Sequence, residues 1–196
     1  GAVAYVNEGM LTGPYFVRKD VGYATLGEAF AAADDGDTVT LLTDITYTKA
    51  TGFINGEYVD GLVYTGDKNF TVDFAGHKVE ENGEINDYLV YLKNTGEKDN
   101  VITFKNGKVA VGSTTAAYAA ITVGSNSSTH KTTLNLDGME VVNGNPNATN
   151  NQVIRIRNGA TANLNSGTLV TSNGTSYGVV AQTASVVNIN DGAKVV

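Results

Sequence analysis

The sequence predicts an all-β fold, a right-handed parallel β-helix closed at its N-terminal end by one short helix. Two patterns carry that expectation. Similar strand segments return from Phe74 onward at intervals of 30, 32, 28 and 25 residues, too short for separate domains and right for single coils of a solenoid. From the second segment onward, a glycine follows the central residue at two or three positions and marks a bend into another strand. An antiparallel β-sandwich would also space short strands evenly, but it gives no reason for like residues to recur at this period.

The helix comes first in the chain. Thr25-Leu26-Gly27-Glu28 has the form of a capping box, in which the Thr25 side chain accepts from the Glu28 amide and Glu28 reaches back to the Thr25 amide. Leu26, Ala29, Phe30 and Ala33 then fall on one helical face, an apolar stripe for the coil beneath. Gly36 is expected as the left-handed C-cap, and Thr38-Val39-Thr40-Leu41 alternates as a strand. Residues 1–37 therefore read as a cap with a helix at about 25–34, and residues 38–196 as coils.

The strand segments are VTLLTDI (39–45), VDFAGHKV (72–79), ITFKNGKV (102–109), LNLDGMEV (134–141), ANLNSGTL (162–169) and VNINDGAKV (187–195). Their central residues Leu41, Phe74, Phe104, Leu136, Leu164 and Ile189 are expected in one buried column. The apolar residues after the bend, Val79, Val109, Val141, Leu169 and Val195, are also expected to point inward. A second strand family precedes four of the segments: LVYL (89–92), AITV (120–123), VIRI (153–156) and GVVA (178–181). Asn135, Asn163 and Asn188 stand beside the central column and are expected to form a hydrogen-bonded ladder.

Composition limits the function. With 196 residues, 23 of them glycine and two proline, the chain suits one domain of short strands and many turns. A net charge of −7 and a pI near 4.7 argue against nucleic acid or an anionic membrane as partner. There is no cysteine, hence no disulfide and no thiolate metal site. No apolar run is long enough to span a membrane, and GAVAYVN lacks the order of a signal peptide. The last segment, with Val187, Ile189 and Val195 inward, has no polar cap after it. This leads to two expectations: a protein that continues past Val196, and self-association through the C-terminal rung.

NFTVDFAGHKV resembles the strand and turn of pectin-lyase-like β-helix repeats, a likeness that covers roughly residues 38–196. YATLGEAFAAADDGDTVTLLTDI resembles the entry region of large repeat-bearing surface proteins of gut Gram-positive bacteria. The resemblance implies a bacterial, extracellular or cell-surface setting. Polygalacturonase-like members of the fold carry an Asn-Thr-Asp element, an Asp pair, Gly-His-Gly and Arg-Ile-Lys. Here Arg155-Ile156-Arg157 approximates the last, and the others are missing.

Rungs about 4.8 Å apart would suit the carboxyl pair of a retaining glycosidase, so stacked acids would point to hydrolysis. No outward column places two acids on adjacent rungs; Asp73 and Asp137 are expected two rungs apart and displaced along the strand. The acidic turn Asp34-Asp35-Gly36-Asp37 lacks the spacing of a calcium loop, and His77 and His130 lack that of a zinc site. No metal, cofactor or catalytic residue is assigned. Tyr91, Lys93, Arg155 and Arg157 are expected to face outward on one sheet, an aromatic and cationic surface suited to sugars and carboxylates. The expected function is a noncatalytic surface or secreted module, a rigid spacer or adhesin whose partner is an extracellular glycan or host surface. The alternative is a fragment of a polysaccharide lyase or glycoside hydrolase.

Overall fold

The structure is a computed structural model that describes residues 16–18, 21–47, 53–54, 57–58, 62–81, 88–112, 119–126, 128–145, 149–173 and 175–196. It opens with a short hairpin, β1 (Phe16–Arg18) and β2 (Val21–Tyr23), followed by α1 (Leu26–Ala32). The first coil holds β3 (Asp37–Leu41), β4 (Ile45–Tyr47), the small hairpin β5 (Phe53–Ile54) with β6 (Glu57–Tyr58), and β7 (Leu62–Tyr64). The second holds β8 (Phe70–Asp73), β9 (Lys78–Glu81) and β10 (Tyr88–Leu92). In the third and fourth coils one long strand runs through the first corner: β11 (Asn100–Val111) then β12 (Ala119–Val123), and β13 (Thr132–Asn143) then β14 (Thr149–Ile156). The fifth has β15 (Thr161–Leu164), β16 (Leu169–Ser172) and β17 (Thr175–Ala181), and a sixth begins with β18 (Val186–Ile189) and β19 (Lys194–Val195).

Three parallel ladders result. The first runs β3-β8-β11-β13-β15-β18, the second β4-β9-β11-β13-β16-β19 and the third β7-β10-β12-β14-β17. Parallel register between segments one coil apart defines a β-solenoid and rejects the antiparallel sandwich.

The capping box forms with both hydrogen bonds at 3.2 Å, and Leu26, Ala29 and Phe30 are buried. Phe30 meets Phe70 edge-on with ring centres 5.0 Å apart and Tyr64 at 6.0 Å, so the apolar stripe does close over the first coils. β1 pairs antiparallel with β3, which covers the edge of the first ladder. Gly36 is not the C-cap: Ala33 is, in extended conformation, with its N–H bonded to Phe30 O. The left-handed conformation falls instead on the turn into β3, where Gly36 has φ +84° and donates to Asn69 O at 2.7 Å.

Val72, Phe104, Leu136 and Leu164 form a buried column in register. Phe74 does not stand in it, because Val72 is the partner of Phe104. The second coil has a longer corner, so Phe74 lies two residues further on, buried beside Phe104 with ring centres 5.5 Å apart. Gly107 makes that possible: a Cβ there would lie 2.2 Å from Phe74 Cβ. One residue added at the fifth corner likewise makes Val170, rather than Leu169, the inward partner of Val141. Ile189 continues the column in register but is 57 % exposed, because no strand among the described residues pairs with the far edge of β18.

Candidate functional site

The second strand family is the third ladder, and its register is the one expected: Leu92, Val123, Ile156 and Ala181 are successive partners. Its outward residues follow a spacing of three. In β10, Leu89 and Val90 both belong to the core, which leaves Tyr88 and Tyr91 in a separate cluster with Ala119 and Val63. Tyr88 is in register with Ala119, Gln152 and Tyr177, and Tyr91 with Thr122, Arg155 and Val180.

The four residues expected on this face are therefore brought together in two columns. Tyr91 and Arg155 share one, with Thr122 between them. Lys93 and Arg157 extend the ladder just past the strand ends, with Gly124 between: Lys93 N donates to Tyr64 O, Gly124 N to Leu92 O and Arg157 N to Val123 O, each at 2.8 Å. Exposure differs from the open face expected. Tyr91 is 1 % and Lys93 6 % exposed, and Arg155 and Arg157 are half-buried. The Arg155 guanidinium is held from two rungs, donating from Nη1 to Tyr88 Oη at 2.9 Å and from Nε to Gln182 Oε1 at 3.1 Å. Sequence reasoning missed Tyr88, Gln182 and the 54 % exposed Tyr177 on this face. The spacing Tyr88…Tyr91, Gln152…Arg155 and Tyr177…Val180 was the available signal.

The outward face of the first ladder carries the amides. Asn188 Nδ2 donates to Asn163 Oδ1 and Asn163 Nδ2 to Asn135 Oδ1, both at 2.7 Å, and Asn135 Nδ2 to Thr103 Oγ1 at 3.2 Å. A second row runs beside it, from Asn190 to Asn165 at 2.6 Å and from Asn165 to Asp137. Asp73 and Asp137 lie in one column with Lys105 between them, not displaced along the strand, because the longer second corner shifts the register by two. Lys105 Nζ is 3.1 Å from Asp73 Oδ2, an ion pair between the two acids of the column. Burial pushes the Asp73 carboxyl up, but bonds from Ala75 N–H, Lys105 and the Asn106 amide outweigh it and hold the group below its ordinary value.

The cap is fastened by ions. Asp35 accepts from Lys98 Nζ at 2.7 Å and from Asn69 N at 2.8 Å, and these bonds depress its pKa, Lys98 most. Among the described residues, no group of three or more His, Cys, Asp or Glu is placed to hold a metal ion, and no helix is long and apolar enough to cross a membrane. The chain matches no family model, no curated protein and no solved structure.

Proposed function

We propose that the chain is a noncatalytic module of a cell-surface or secreted bacterial protein, a rigid spacer or adhesin whose partner is an extracellular glycan. The observation that supports this reading best is the pair of amide rows. They tie successive coils together on the outside as the apolar column does within, which suits a rod that holds its faces in fixed register. Lys105, interposed between Asp73 and Asp137 and bridged to Asp73, speaks against that column as a catalytic acid pair. Arg155, braced by Tyr88 and Gln182, is a guanidinium already oriented on the face assigned to the ligand.

A glycan array run with a reducing-sugar assay tests the reading. Retention of glycans without release of reducing ends, weakened by Arg157→Gln, is the expected result. Turnover of an acidic glycan would instead support the lyase or hydrolase alternative.

A further inference from the structure

The last rung is an open end of the rod. Among the described residues, β18 has no partner strand on its far side, and Val186, Ile189, Val195 and Val196 stand exposed around it. Val186 N donates to Ala160 O at 3.0 Å and Asn190 N to Leu164 O at 2.9 Å. By the alternation of a strand, Val187 and Ile189 therefore turn their N–H and C=O away from β15, to the open side. Asp191 and Lys194 are the only ionisable side chains of residues 186–196 and cancel, whereas the whole chain carries −7. A copy that meets this end brings no net side-chain charge to the contact.

The two amide rows also stop here, and they stop differently. The row of Asn190 rests through Asn165 on Asp137, a carboxylate that accepts and does not donate, so Asn190 donates inward and presents Oδ1 at the end. The row of Asn188 rests through Asn163 and Asn135 on the Thr103 hydroxyl, which both donates and accepts. That row can turn and present Nδ2 instead. One row is a fixed acceptor and the other can supply the donor.

We infer that the last rung binds the last rung of a second copy, β18 against β18, antiparallel about a twofold axis at Ile189. The contact does not rest on the function proposed above. The first coil is already closed by α1 and β1, so the open apolar rung that a copy offers is its own last one. Like end on like end makes the contact isologous and the strands antiparallel. With the axis at Ile189, the two Ile189 residues exchange both backbone bonds, because those groups face outward. The same register sets Asn188 of each copy opposite Asn190 of the other, donor to fixed acceptor, twice. An axis one residue on, at Asn190, would set two fixed acceptors against each other, and one residue back, at Asn188, would leave Asn190 facing Val186.

The test is sedimentation of the whole chain over a wide range of concentration, joined to cross-linking, for which the absence of cysteine leaves a clean background. The parent should pass from monomer to dimer as concentration rises and stop there, because a twofold contact closes. Asn188→Ala deletes both amide bonds between the copies and should weaken the dimer about tenfold, with exchange protection of β13 as in the parent. In Ile189→Cys, oxidised by glutathione disulfide, the two thiols stand across a pair whose Cα atoms lie about 5.5 Å apart, and a covalent dimer should form. Val196→Cys, on the same rung and more exposed but off the axis, should form one far more slowly. A parent that stays monomeric throughout, or grows beyond a dimer, would overturn the contact. Equal cross-linking of the two cysteine variants would overturn the register at Ile189, and a dimer unchanged by Asn188→Ala the pairing of the amides.

Discussion

In the first three coils the outward side chains meet as ions: Asp35 with Lys98, Lys78 with Glu80, Asp73 with Lys105. From the fourth coil onward the first ladder meets as amides, Asn135 under Asn163 under Asn188 and Asn165 under Asn190. Asp73 and Lys105 stand on the same ladder as the amides, whereas Lys78 and Glu80 stand on the second ladder and Asp35 and Lys98 lie in turns. What differs is whether one residue type can be stacked on itself at a spacing of about 4.8 Å. An amide donates to the rung below and accepts from the rung above, so identical residues reinforce one another. A carboxylate or ammonium repels its copy and is favoured beside its opposite, as Asp73, Lys105 and Asp137 are placed.

Three substitutions probe this difference. The largest effect is expected inside the rod, where both halves depend on the same column. Phe104→Ala removes a ring packed between Phe30 and Phe74 and should cost about 3–5 kcal/mol in chemical denaturation. A loss near zero would mean that the aromatic column does not unite the coils. Next comes Asn163→Ala, which breaks two amide bonds at once and should cost about 1–3 kcal/mol, from roughly 0.5–1.5 for each bond. Hydrogen exchange in that variant should rise around Asn135 and Asn188 and leave β8 unchanged. The smallest effect is at the cap. Thr25→Ala removes one side of the capping box and should cost about 1 kcal/mol, seen as faster exchange of the Glu28 amide with the later coils unaffected.

The contrast between the halves also explains what the sequence revealed. Four strands of the third ladder were legible in register, because LVYL, AITV, VIRI and GVVA repeat without insertions, whereas β7 at its start was not read. The amide row could be read too, since its three asparagines keep one distance from the core residue beside them. Register failed where corners change length: Phe74 was placed in the column of Phe104, two residues off along its strand, and with it Asp73 relative to Asp137. A glycine marks each bend but does not count the residues in it. The outward direction of Tyr91 and Lys93 followed from alternation, whereas their burial depends on what lies against that face, and no pattern within a strand encodes it.

The central claim is that ions order the outside of the early coils and neutral amides that of the later ones. Acid separates the two. Asp35, Asp44, Asp67 and Asp73 are all held below the ordinary carboxyl value of 3.8 in the folded chain. Their contribution is therefore complete above that pH and is lost as the pH falls through their lowered folded values. The amides of Asn135, Asn163 and Asn188 do not titrate. Residue-resolved hydrogen-exchange protection, compared between pH 7 and pH 2.5 after correction for intrinsic rates, tests this directly. The account predicts that protection falls first at Gly36, Asn69, Ala75 and Lys78, whose N–H groups bond to or lie beside these carboxylates, while β13 and β15 keep theirs. Uniform loss across all coils, or earlier loss in the amide rows, would contradict it.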